Sequence, residues 1–428
     1  MNLKLRRVFV DKVKKAVKGG NLIDGTGKPP IENSVIVIEG SRITDVGKEG
    51  EVQIPSDAQV VDAAGKTVMP GLMDIHVHLG NVEGASTPET FLNLFKTSPF
   101  LLLLYAVKHA GEMLEAGFTT ARDLGMINVM AAEPIWAARP MVALRKAIEQ
   151  RLVPGPRLVV AGPLCMSAGH FDMLPSRYED LRSPANGIWE VRKRVREFAR
   201  ENVDLIKIAS GGGVAGEGEE LWWRNYTVEE LKAIVDEAHA LGKKVAAHAY
   251  TANTVRNALE AGVDEIEHGS FLDDETIKMF VEKRTYLVPT LTTFHITEKA
   301  EHMRRKKDEI RRMVAANFTK AYKAGIRIAV GTDIFLQEHP DPVYGDNAYE
   351  LELMVRYGMP EMEAIMAATR NTAEALGWEH DLGTIEKGKL ADIIIIEGDP
   401  LKDIKILQNK QKIRRVIKDG RIEVSRET

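Results

Sequence analysis

The chain has 428 residues, 44% hydrophobic and 28% charged, the balance of an ordinary soluble globular protein with one large domain or a few smaller ones. Lys and Arg total 58 against 62 Asp and Glu, a net charge of −4 that excludes a strongly electrostatic nucleic-acid binder. The single cysteine, Cys165, excludes an internal disulfide and a Cys-rich zinc module.

The start, MNLKLRRVFVDKVKKAVKGGN, is basic but has no apolar core of signal-peptide length. The longest apolar run, Phe100 to Val107, falls far short of the roughly 20 residues that span a bilayer and reads as a buried helix turn. A cytoplasmic location without membrane contact is expected. Near the N-terminus, VKGGNLIDGTGKPPIENSVIVIEGSRITDVG reads as short strands broken by Gly-rich turns. Near the C-terminus, GTIEKGKLADIIIIEGDP and IRRVIKDGRIEV read the same way. Neither end has room for its own core, so residues 1–66 and 381–428 are expected to share one small β-domain.

Residues 67–380 have a different rhythm, in which short apolar runs alternate with helix-length amphipathic segments. The runs are Gly71–Val77, Thr119–Asp123, Arg157–Ala161, Leu205–Ala209, Val245–Ala249, Glu265–His268, Tyr286–Thr290 and Ile328–Gly331. Val228 to Leu241 is the clearest helix, with Thr227 as N-cap and Gly242 as stop. Repeated βα units imply a parallel sheet, and eight of them suggest a closed barrel; an open doubly wound sheet is the alternative. The expected fold is α/β, a (β/α)8 TIM-type barrel at 67–380 with a small β-sandwich from both chain ends.

Barrel enzymes keep their chemistry at the C-terminal strand ends. The first strand ends Asp74-Ile75-His76-Val77-His78, and the two-residue period turns His76 and His78 to one side, where they can share a cation. In the fourth strand Lys207 lies among apolar neighbours, where burial lowers an amine's pKa. A neutral amine can add carbon dioxide and bridge two cations as a carbamate; an ordinary lysine paired with a carboxylate is the equal alternative. The fifth and sixth strands end in His248 and His268, and the eighth run leads into Asp333, a ligand, general base or helix cap. Each residue alone is a weak signal; five strands delivering such residues to one rim is a strong one. Imidazole and carboxylate suit zinc, with manganese or cobalt as alternatives. Two cations about 3.5–4 Å apart would clamp a hydroxide between them, with Asp333 taking its proton and passing it to the leaving group.

The motifs PGLMDIHVHLG, LIKIASGGG, AAHAY, IEHGSFL, VGTDI and LGTIEKGKLADIIII together resemble the amidohydrolase superfamily over nearly the whole chain. The resemblance implies His76, His78 and Asp333 on the more buried of two divalent ions, probed first as zinc. It implies His248 and His268 on the more exposed ion, and carboxylated Lys207 as bridge. Within the superfamily the chain is similar to Xaa-Pro dipeptidases, arginine/lysine carboxypeptidases and ochratoxin-hydrolysing amidases. The cue is Ser167-Ala168-Gly169-His170-Phe171-Asp172, like that group's Gly-Gly-His loop with Ala168 departing from it. The resemblance implies that His170 contacts the scissile carbonyl or a nearby substrate oxygen and that Tyr250 lies near the substrate carboxylate. Physics supports a His donor beside a developing oxyanion.

The Gly-rich run Gly211–Gly216 lacks a phosphate-loop ending and reads as a loop beside the metals, with Trp222, Trp223 and Arg224 as substrate wall or lid. Arg224 could meet a substrate carboxylate. Arg304-Arg305-Lys306-Lys307, with Asp308 and Glu309, reads as a solvated helix face. His109 and His239 read as surface or packing residues, His295 and His339 as unassigned rim residues, and Cys165 as a small buried residue. No G-x-S-x-G elbow occurs. The expected function is binuclear metal-dependent hydrolysis of the amide bond in a dipeptide or N-acyl amino acid. The alternatives are a cyclic-amide hydrolase of the imidazolonepropionase kind and a non-catalytic scaffold. A small-molecule partner and a homo-oligomer are expected.

Overall fold

The computed structural model describes residues 13–81, 97–125, 134–164, 166, 169–170, 184–298, 300–334 and 341–426. Cys165, Ser167, Ala168, Phe171, Asp172 and His339 lie outside the described residues.

Both chain ends meet in one sheet. It contains β1 (Lys14–Leu22), β2 (Ile31–Glu39), β3 (Arg42–Lys48), β4 (Gln59–Asp62) and β5 (Thr67–Pro70) from the first, and from the second the closing strands. A second sheet is parallel and runs in chain order: β6 (Leu72–Val77), β7 (Phe118–Asp123), β8 (Arg157–Pro163), β9 (Leu205–Ala209), β10 (Lys244–Thr251), β11 (Glu265–Phe271), β12 (Tyr286–Val288) and β13 (Arg327–Ile328). Every run expected from the sequence overlaps one of these strands. The chain then returns to the first sheet as β14 (Ile393–Ile396), β15 (Ile413–Lys418) and β16 (Arg421–Ser425). In that sheet β5 lies between β1 and β14, so residues 67–70 pair with the chain ends.

Gly71 joins the two sheets. A Cβ there would fall 2.2 Å from the Thr119 hydroxyl, so no larger residue lets β5 run on into β6 at this approach. Strand β6 is buried along its whole length, as expected of a parallel strand covered on both faces. The parallel sheet curls until its far edge returns to β6. Ile75 N–H donates to Val330 O at 2.9 Å, and Asp333 N–H donates to His76 O at 2.7 Å. Val77 and Ile334 form a parallel bridge just beyond. An open doubly wound sheet would leave these two strands at opposite edges.

Helices cross between successive parallel strands. Val228–Ala240 has the expected start, since Glu230 N–H donates to Thr227 Oγ1 at 3.2 Å and Thr227 N–H to Glu230 Oε2 at 2.8 Å. Two expectations fail. In the helix Pro99–Glu115, Leu102 and Ala106 are buried but Phe100 and Leu104 are 70% and 65% exposed. Eight consecutive apolar residues go right round a helix, so they cannot all face the core. In the helix Glu301–Lys323, Arg304, Arg305, Asp308 and Glu309 are exposed, whereas Lys306 and Lys307 are fully buried beside Met303 and Ile310. Helical spacing places both lysines on the inner face, where carbonyls and Glu298 accept from them. Among the described residues no helix is long and apolar enough to cross a membrane.

Candidate metal centre

The C-terminal ends of β6, β10 and β11, with the segment after β13, bring His76, His78, His248, His268 and Asp333 together. The Nε2 atoms of His76 and His78 lie 3.4 and 3.3 Å from Asp333 Oδ1. Each ring uses Nδ1 outward, His76 at 2.6 Å from Glu267 Oε2 and His78 at 2.6 Å from Gly125 O. An outer acceptor on Nδ1 fixes the tautomer and leaves Nε2 with its lone pair, the pattern of a metal-binding histidine. His268 Nδ1 lies 2.6 Å from Thr290 Oγ1. One ligand atom from each of His76, His268 and Asp333 lies within 4.8 Å of the others. The His248 ring is 4.6 Å from that of His268. His268 and Asp333 have φ of 72° and 52°, a left-handed backbone that costs energy in residues other than glycine. That strain aims both side chains inward at the strand ends.

Lys207 is fully buried, and its Nζ has no hydrogen-bond partner among the described residues. An unmatched buried ammonium is expensive. Burial lowers its pKa to about 8 against the pull of Glu267 and Asp333. Burial also holds His76, His248 and His268 well below the usual imidazole range, and Lys207 adds to the effect on each. Burial opposes ionisation of Asp333, yet His76 and His78 hold its carboxyl down at about 2. The protein thus presents neutral imidazoles, an ionised carboxylate and a lysine inclined to lose its proton. Cations bind deprotonated ligands, so this donor set fits divalent ions. The orphaned Nζ fits a lysine that carries a further group.

Outer residues that sequence reasoning missed support this inner set. Asp74 accepts from Thr332 Oγ1 at 2.6 Å, Asn347 Nδ2 at 2.7 Å and His76 N–H at 3.1 Å. Burial raises it to about 6 despite those donors. Arg122 donates to Glu267 Oε1 at 3.0 Å and to Ile75 O at 2.6 Å, and pairs with Glu265 at 2.6 Å. Asp74 sits within the His76–His78 motif and could have been suspected. Arg122 and Glu267 are 145 residues apart and gave no local signal.

The remaining predicted residues divide. The His170 ring stacks on His248 at 4.2 Å, and its Nδ1 lies 3.1 Å from Glu219 Oε1. Tyr250 is buried and stacks on His268 at 4.7 Å; burial, then Asp333, raises its hydroxyl well above the usual range. Trp222 and Trp223 are exposed beside Arg224, whose backbone bridges to Gly211. Among the described residues no ion pair or hydrogen bond brings the Arg224 side chain to the cluster. His295 turns to Tyr357 OH at 3.0 Å, and exposed His239 to Asp264 at 2.9 Å. His109 is buried and stacks on Tyr344 at 4.4 Å, a packing role.

A parallel sheet closing on itself gathers His, Asp and a buried Lys, and His76, His268 and Asp333 are placed where they could hold a metal ion. The family model described as "Amidohydrolase family" matches residues 67–422, and the chain belongs to that family. It is similar to a crystal structure of a Xaa-Pro dipeptidase with methionine bound in its active site, at 34% identity and a TM-score of 0.84, covering 96% of this chain and 99% of the other. It is 30% identical to ochratoxinase of Aspergillus niger, over 99% of this chain and 90% of that protein. It is 24% identical to imidazolonepropionase of Kosmotoga olearia, over 94% and 96% of the two chains. The chain is therefore a hydrolase of the amidohydrolase superfamily.

Proposed function

We propose that this hydrolase uses two divalent metal ions to cleave the amide bond of dipeptides or N-acyl amino acids with a free carboxylate. One observation carries the reading: a fully buried Lys207 amine with no hydrogen-bond partner among the described residues, on the strand that pairs with the one bearing His248. His76, His78 and Asp333 would hold the more buried ion, His248 and His268 the more exposed, with carboxylated Lys207 between them and zinc as first choice. When bound, such ions acidify water to a pKa of about 7 and polarise the scissile carbonyl. Asp333 takes the proton of the attacking water and hands it to the leaving amine. His170 faces the carbonyl, and Tyr250 and Arg224 serve the substrate carboxylate. The likeness to a Xaa-Pro dipeptidase supports the substrate class.

In this reading the curled sheet is a complete (β/α)8 barrel within 71–380, because residues 67–70 pair with the chain ends. The ends, 1–66 and 381–428, form a β-sandwich around Val17, Ile36, Val61, Ile395 and Ile417, which share one buried cluster. The exposed Phe100, Leu101, Leu104 and Tyr105 support a homo-oligomer. The test is metal analysis followed by a screen of the reconstituted protein against dipeptides and N-acyl amino acids. Close to two ions per chain and turnover in that library are expected. Turnover confined to cyclic amides would transfer the chain to the imidazolonepropionase chemistry, and a fully loaded, inert protein would be a scaffold.

A further inference from the structure

The turn that leaves β12 holds one residue against the preference of its own backbone. Thr290 has φ 49° and ψ 47°, the left-handed region that a β-branched side chain avoids. Its neighbours hold it there. On one side Pro289 has a ring-fixed φ and no N–H. On the other, the buried Glu350 carboxyl accepts from Leu291 N–H at 2.8 Å and from Thr292 N–H and Oγ1, both at 2.7 Å. Backbone strain of this kind survives only where the surroundings over-determine it. Strand pairing brings the strained residue to the mouth of the sheet. Glu267 lies opposite Val288, and the two chains then carry His268 and Thr290 together, with Nδ1 2.6 Å from Oγ1.

We propose that Thr290 is a positioning residue that fixes the hydrogen of His268 on Nδ1 and so keeps Nε2 as a ligand atom. His76 and His78 meet a carboxylate and a backbone carbonyl at Nδ1, whereas a hydroxyl can act in either direction. Pro289 O decides the direction here. A threonine hydroxyl has one hydrogen, and it goes to that carbonyl at 2.8 Å, a group that can only accept. Toward His268 the same oxygen offers lone pairs alone, so the hydrogen between them comes from Nδ1. A neutral imidazole carries a single hydrogen, and Nε2 is left with its lone pair. Tyr250 stacked at 4.7 Å and His248 edge-on at 4.6 Å hold the plane of the ring. The consequence for metal binding rests on the two-ion reading proposed above; the tautomer does not.

Two measurements test it. The first uses the full chain, labelled with 15N-histidine and freed of ions by a chelator. With His268 assigned by its loss in His268→Ala, long-range 1H–15N spectra should show hydrogen on Nδ1. Thr290→Val keeps the shape but removes the hydroxyl, and should give a mixture of the two tautomers. Thr290→Gly adopts a left-handed backbone freely and should do the same, so a folding defect in the valine variant does not decide the outcome. Thr290→Ser should restore the wild-type spectrum. A wild-type ring with its hydrogen on Nε2, or an unchanged spectrum in both Thr290→Val and Thr290→Gly, would overturn the proposal whatever the protein hydrolyses. The second measurement is titration with zinc. Thr290→Val and Thr290→Gly should bind the second ion about 10–100-fold more weakly than wild type, the usual cost of losing an outer partner of a ligating histidine. Thr290→Ser should bind it as wild type does. Unchanged affinity in both of the weakened variants would overturn the proposal. A wild type that takes up no second ion defeats the two-ion reading alone, and the spectra still decide the tautomer.

Discussion

Two buried ionic clusters sit at opposite ends of the parallel sheet, and they differ in one respect. At the strand beginnings, Arg157 donates to Asp392 at 2.8 Å, to Asp419 at 2.5 Å and to Thr120 at 3.2 Å. Asp392 also accepts from Asp419 N–H at 2.9 Å, and Lys418 Nζ donates a hydrogen bond to Gly155 O. Burial opposes the charge of Arg157, but the two carboxylates raise its pKa further. Both terminal nitrogens of Arg157 and the Lys418 Nζ have acceptors there, and the cluster ties β8 to the sheet of chain ends. At the strand ends, Lys207 has no acceptor among the described residues, and two imidazoles set Nε2 3.3–3.4 Å from one carboxylate oxygen. A structural cluster is complete within the protein; the cluster at the mouth is complete only with something added.

The largest expected effects break the incomplete cluster. Lys207→Ala should remove most bound metal and lower kcat by at least about 10³-fold, with partial rescue by small carboxylates such as propionate. Metal content and kcat check this, and full activity without added carboxylate would remove the bridge from the site. Asp333→Asn should lower kcat about 10²–10⁴-fold, the range for a lost general base, while melting temperature stays near wild type. The complete cluster should respond in the opposite currency. Arg157→Met leaves Asp392 buried without its cation and should cost about 3 kcal/mol, the low end for a broken buried pair because Asp419 is partly exposed. Urea melts measure that loss, and kcat of the folded fraction should be unchanged.

The incomplete cluster was the more legible in sequence. His76, His78, Lys207, His248 and His268 each sit on or at the end of a short apolar run, and period-two alternation is enough to aim them inward. Asp333 lies five residues past the end of β13, and only its place after the last apolar run marked it. The arginine cluster was invisible because Arg157, Asp392 and Asp419 are 235 and 262 residues apart and only tertiary closure unites them. Lys306 and Lys307 were misread for a different reason. Four cations in a row look solvated, but a helix turns about 100° per residue and must bury some of any such run. Glu219 lies 49 residues from the His170 it meets and carries no local mark of that contact.

Another buried acid sharpens the comparison because it has donors but, among the described residues, no paired cation. Glu350 Oε1 accepts from Leu291 N–H at 2.8 Å, and Oε2 from Thr292 N–H and Oγ1, both at 2.7 Å. Burial outweighs those donors and raises its pKa from the ordinary 4.5 to about 8. Between those values the folded chain keeps a proton that the unfolded chain gives up. Stability from this group is therefore full below about pH 4.5 and is lost as pH rises through about 8. The slope cannot exceed about 1.4 kcal/mol per pH unit for a single proton. Glu350→Gln cannot titrate and also loses one acceptor, a pH-independent cost of about 1–3 kcal/mol. Urea melts of both proteins at pH 5, 7 and 9 should show the variant trailing most at pH 5, with the gap narrowing as pH rises. A gap of constant width would mean that the three donors hold Glu350 ionised throughout, so that neutral hydrogen bonds alone can do for this carboxylate what Arg157 does for Asp392.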